Sequence, residues 1–156
     1  MDIDIYFNPI DFSGYEFAEK SRRRRIGDVI RTHSTERGFP DLDVIYMDFI
    51  GIEEDRKSFA NEGCRDAPDQ VREYLYRLFE GSYSLKIADL GNIKAGHSVE
   101  DTYFAVSSAV KELMTSNILP IIIGCSQDLT YANYRSYEDM GQIINIVAVD
   151  PAFDLG

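Results

Sequence analysis

A chain of 156 residues, 44% hydrophobic and 28% charged, has the composition of a single compact globular domain. Its formal charge of -11 excludes a general nucleic-acid binder, because a phosphate backbone is met by Lys and Arg and here acids outnumber bases 27 to 16. No run approaches the roughly 20 apolar residues of a membrane span, and Met1-Asp2-Ile3-Asp4 lacks the basic start of a secretory signal, so a cytoplasmic location is expected.

In chain order, Ile3, Ile5 and Phe7 alternate with Asp4 and Tyr6 as in a strand. The run Arg22-Arg23-Arg24-Arg25 is followed by Ile26, Val29 and Ile30 at helical spacing. It reads as the solvated start of an amphipathic helix, with an anion or partner contact as the second reading. Gly38-Phe39-Pro40 interrupts the pattern, so residues 1–41 are taken as an extension and 42–156 as the α/β portion.

From residue 42 onward short β-branched runs alternate with stretches of helical period, the pattern of βαβ units in a mainly parallel sheet. The strand candidates are 43–50, 85–90, 118–123 and 143–149. The last two are apolar nearly throughout, as central strands covered on both faces would be. Pro120 fits only near the start of its strand. Pro68 suits the first turn of a helix, Asp69 favours its positive end, Val71, Leu75 and Leu78 form its stripe and Gly81 follows as a stop. Ser98 with Asp101 makes a capping-box start for a second helix, along which Val99, Tyr103, Val106, Val110 and Leu113 repeat. A third helix is expected from about 128 to 138.

Ligands of a doubly wound sheet collect beyond the carboxyl ends of its strands. Those positions hold Gly51-Ile52-Glu53-Glu54-Asp55, Gly91-Asn92-Ile93, Gly124-Cys125-Ser126-Gln127-Asp128 and Asp150-Pro151-Ala152-Phe153-Asp154. None is a G-x-G-x-x-G or Walker loop, so a nucleotide cofactor is not expected. Cys64 and Cys125 have neither C-x-x-C nor zinc spacing and read as free thiols. Cys125 on a strand-to-helix turn has a sharper reading as a nucleophile, but neither histidine, His33 or His97, is placed beside it by the sequence. Cys125 and Cys64 are therefore read as small residues at tight positions, and His97 as a surface loop residue. Gln127 and Asp128 are read as side-chain caps of the third helix.

Four of these segments, Asn61-Glu62-Gly63-Cys64-Arg65-Asp66-Ala67-Pro68, Asp89-Leu90-Gly91-Asn92, the 124–128 loop and the 150–154 loop, together resemble the ureohydrolase family of arginase, agmatinase and formimidoylglutamase. Order and spacing match over roughly residues 42 to 156. The resemblance implies a three-layer α/β/α fold, of which this chain is the amino-terminal half, and a centre of two Mn²⁺ ions that hydrolyses guanidino or amidine C–N bonds. It also implies homo-oligomers and a small amidine or guanidino ligand. The family's histidines fall on Gln127 and Ala152 and the acid before the first falls on Ser126, while its flanking aspartates fall on Asp150 and Asp154. The residual metal ligands are therefore Asp150 and Asp154, and the favoured reading is a catalytically degenerate homologue with a binding or regulatory role. The alternative is an active amidine hydrolase whose site is completed by residues beyond this chain.

Overall fold

The computed structural model describes residues 3–11, 23–59, 61–82, 84 and 86–149. In chain order its elements are β1 (Phe7–Asn8), α1 (Ile26–Val29), β2 (Arg31–Thr32), β3 (Met47–Ile52), α2 (Ala67–Leu75), β4 (Ile87–Ile93), α3 (Val99–Thr115), β5 (Leu119–Ile123) and α4 (Leu129–Asp139). The sheet runs β1-β4-β3-β5, with β2 also on β4. β3 is parallel to both β4 and β5, β2 is parallel to β4, and β1 alone is antiparallel. Helices α3 and α4 pack on one face around Ile50, Ile52, Leu90, Val106 and Val110. On the other face Tyr76, just past α2, packs with Ile30, Phe49 and Ile87. The result is the expected three-layer α/β/α arrangement.

Local chemistry accounts for the helix ends. Ser98 Oγ accepts from the Asp101 amide at 3.2 Å while Asp101 accepts from the Ser98 amide at 2.8 Å, closing the capping box of α3. All five stripe residues of α3 are buried. Asn117, at φ 59°, takes the left-handed conformation that turns the chain from α3 toward β5. Pro68 stands in the first turn of α2, and Pro120 is the second residue of β5.

Several expectations are corrected. Residues Asp4–Tyr6 form a 3-10 turn and only Phe7–Asn8 a strand, because β1 meets β4 over just two residues. Residues Arg23 to Arg25 precede the four-residue helix α1 and are not part of it; Arg24 pairs with Glu80 at 2.8 Å. Arg22 lies outside the described residues. On α2, Val71 is exposed, as is Leu78 beyond its end, and the buried face carries Pro68 and Arg72. β5 is the last strand of the ladder and is partly exposed, so β3 and β4 are the central strands. Residues 143–149 form no strand, and Ile143 and Val149 are fully exposed. A strand is defined by neighbours, and this run has no ladder partner among the described residues.

Candidate functional site

The carboxyl ends of β3 and β4 are shaped by a bulge. Phe49 faces Asp89, but Gly51 faces Asn92, so β4 carries one extra residue between the two pairs. Gly91 within it takes φ +87°, where a side chain would also meet the Asn8 carbonyl oxygen at 2.1 Å. The extra residue lets Asp89, the Gly91 carbonyl and Asn92 all reach Arg72. A side chain at Gly51 would stand 1.8 Å from Asn92 Oδ1 and 2.9 Å from the Arg72 guanidinium, so glycine makes the room.

Arg72 is completely buried. Its Nε and Nη2 donate to Asp89 at 2.8 and 2.9 Å, a bidentate pair, and Nη2 also donates to the Gly91 carbonyl at 3.0 Å. Nη1 donates to Asn92 Oδ1 and, at 2.9 Å, to Asp69. Tyr76 donates to Asp89 at 2.7 Å, and Asn92 donates to Glu53 at 2.7 Å. Burial opposes the charge on Arg72, yet Asp89 holds the guanidinium protonated more firmly than usual. The Asp-Leu-Gly-Asn stretch is thus an internal brace under the strand ends.

Above it lies a polar rim. Glu54, 1% exposed, accepts from Arg56 Nε at 2.8 Å and Nη2 at 2.5 Å, and from Thr102 at 2.8 Å. Arg56 also donates to the carbonyls of Gly96 and His97 at 3.1 and 3.0 Å. The Arg56 hydrogen bonds hold the Glu54 carboxylate below its usual range in spite of burial. The loop after β5 is fastened to the same segment, since the Cys125 thiol donates to the Glu54 carbonyl at 2.6 Å. Asp128 accepts from Tyr103 and from Ser126, and it makes no side-chain cap on α4. The capping role expected of Asp128 is therefore corrected; Tyr103 from the packed helix α3 competes for its carboxylate, and backbone carbonyls of residues 126–128 accept from the first turn.

Gly124, Cys125, Ser126, Gln127, Thr130 and Asn133 line a cavity of about 390 Å³ at this loop. Asn133 Oδ1 is buried there with no hydrogen-bond partner among the described residues. A larger cavity of about 830 Å³, between Pro9, Gly27, Thr32 and Arg37, is lined by none of the motif residues.

Of the residues singled out in the sequence, Ser126, Gln127 and Asp128 stand together at this loop. Asp150, Ala152 and Asp154 lie outside the described residues. His33 sits at the end of β2, its Nδ1 3.0 Å from the Leu90 carbonyl, and His97 is exposed before α3; Cys125 bonds to neither. Burial and the Cys64 thiol push Cys125 up to about 12, which removes the thiolate a nucleophile needs. Among the described residues no three His, Cys, Asp or Glu side chains converge to hold a metal. The acids nearest the strand ends are already engaged, Glu54 by Arg56 and Asp55 by the Gly63 amide at 3.1 Å. With a Gln amide and a Ser hydroxyl for imidazole and carboxylate, the described donor set does not fit a two-manganese centre. The roles of Glu54, Arg56 and Arg72 were not legible in the sequence, although Glu54 stood in a loop marked by its position after a strand.

A mainly parallel sheet between two helical layers, with motif loops at its carboxyl ends, is an arginase-type α/β fold. The arginase family model matches residues 46–156, and the chain belongs to that family. Among similar proteins, formimidoylglutamase of Halobacterium salinarum is 29% identical over 140 residues, covering 85% of this chain and 44% of the relative. The chain thus spans less than half the length of that relative. The crystal structure of formimidoylglutamase from Bacillus subtilis superposes with a TM-score of 0.67 at 18% identity, over 85% of this chain and 42% of that one. Trypanosoma cruzi formiminoglutamase with Mn²⁺ gives a TM-score of 0.60 at 19% identity, over 75% and 40%. No helix among the described residues is long and apolar enough to cross a membrane.

Proposed function

We propose that the chain is the amino-terminal part of a formimidoylglutamase-like protein whose metal centre is degenerate and whose fold serves binding or regulation. The observation that carries this reading is the donor set after β5. Where the family presents Gly-Gly-Asp-His-Ser, this chain presents Gly124-Cys125-Ser126-Gln127-Asp128, and Asp128 is committed to Tyr103 and Ser126. Ala152 in the 150–154 loop has no ligating side-chain atom. Asp150 and Asp154 remain as residual carboxylates, whose preference unaided is for a hard ion. The cavity at the loop suits a small amidine or guanidino ligand: Asn133 Oδ1 supplies an acceptor for its N–H groups, and the net charge of -11 favours a cation.

The test is metal content. The protein, purified without chelator, is loaded with Mn²⁺, dialysed and measured by mass spectrometry of the metal. Well below one ion per chain is expected, with an increase when Gln127→His and Ala152→His are combined. One or two ions retained by the unaltered protein, together with hydrolysis of an amidine substrate, would establish instead the alternative reading of an active hydrolase.

A further inference from the structure

Cys64 and Cys125 are 61 positions apart in sequence, yet the fold brings the loops that carry them together, close enough for the Cys64 thiol to act on Cys125. Both side chains are partly exposed and both are free. The loops that carry them are already tied: Asn61 Nδ2 donates to the Cys125 carbonyl at 3.4 Å, and the Asn61 carbonyl accepts from the Cys64 amide at 3.4 Å. Cys64 opens the turn that leads into α2, and Cys125 sits in the loop between β5 and α4. From this juxtaposition we propose that Cys64 and Cys125 form a reversible disulfide that clasps the loop ahead of α2 to the loop after β5, across the candidate site.

The chemistry uses a peroxide as oxidant. Cys64, as thiolate, attacks one peroxide oxygen; the O–O bond breaks, leaving a sulfenic acid on Cys64 and releasing water once the departing hydroxide is protonated. Cys125 Sγ then attacks the sulfenic sulfur, forming the S–S bond and expelling hydroxide, which takes up the Cys125 proton as a second water. Two thiols are oxidised by two electrons in all, and one peroxide is reduced to two waters. Cys64 takes the first step because the Cys125 thiol stays protonated and donates to the Glu54 carbonyl. Forming the bond breaks that hydrogen bond and frees the Glu54 carbonyl. The disulfide closes a long loop of the chain, which constrains the unfolded state and is expected to raise the melting temperature.

The clasp does not depend on whether any metal is bound, so its failure and the failure of the proposed function are separately visible. The reduced protein, at low concentration, is exposed to hydrogen peroxide, and its thiols, intact mass and disulfide-linked peptides are measured. The expected result is loss of both thiols together, a mass lower by two hydrogens, a monomer on a non-reducing gel, a peptide joining Cys64 to Cys125, and recovery of both thiols with dithiothreitol. Cys125→Ser is expected to stop at a Cys64 sulfenic acid, trapped by dimedone, and Cys64→Ser to slow oxidation of Cys125 at least tenfold. Independent conversion of the two thiols to sulfinic or sulfonic acids, or disulfides only between chains, would overturn the proposal.

Discussion

Asp48, on the central strand β3, is fully buried, and neither of its carboxylate oxygens has a hydrogen-bond partner among the described residues. Burial, with Asp89 close by, pushes its carboxyl up to about 8. An unfolded chain releases that proton near the ordinary value of 3.8. Between the two values the folded state holds the proton more tightly, so this group's contribution to stability is greatest below about pH 4, declines as pH rises toward 8, and is constant above. Asp48→Asn is expected to remove that decline and to raise stability at pH 8.5 by about 2–5 kcal/mol. Urea denaturation at pH 5, 7 and 8.5 checks it, and parallel curves for variant and parent would rule it out. Arg72 makes the opposite case, a buried charge with every donor engaged. Arg72→Ala leaves Asp89 uncompensated and is expected to lose about 3–5 kcal/mol, read from the urea midpoint. That is a large share of the typical 5–15 kcal/mol, or about that range, of a whole domain.

Among the elements, α3 was the most legible in the sequence. Its start rests on Ser98 and Asp101 and its face on a regular apolar repeat, and both interactions are local. Ser98→Ala is expected to lose about 1 kcal/mol, because one amide of the first turn is left to water; thermal denaturation compared with the parent protein measures it. The buried face of α2 was not legible. Apolar spacing pointed to Val71, Leu75 and Leu78, of which Leu75 packs against the core and the other two are exposed, because the face that meets the sheet is selected by the pairing of Arg72 with Asp89 across 17 positions. Likewise the strand expected at 143–149 depends on a neighbour. Hydrogen exchange should find its amides unprotected while those of β3 and β4 exchange slowest. Protection at 143–149 equal to that of β4 would show a ladder partner there.

Over the whole molecule, the ladder extends outward from β3 and β4, and the residues before position 42 join it: β1 and β2 both lie on β4, and Ile3 and Phe7 pack into the main core. From β3 to α4 the sequence by itself determined the order of strands and helices, and it determined the family, because these depend on periodicity, caps and motif residues a few positions apart. It also marked Ser126, Gln127 and Ala152 as loop residues that depart from the family's motifs, which is a matter of residue identity alone. Tertiary structure decided which strands are central, that Asp89 and Asn92 brace Arg72, that Glu54 is held by Arg56 and Thr102, and that two cysteines distant in the chain lie on adjoining loops. Each of these depends on contacts between segments far apart in sequence, and local patterns carry no information about which distant side chain will occupy the same buried space.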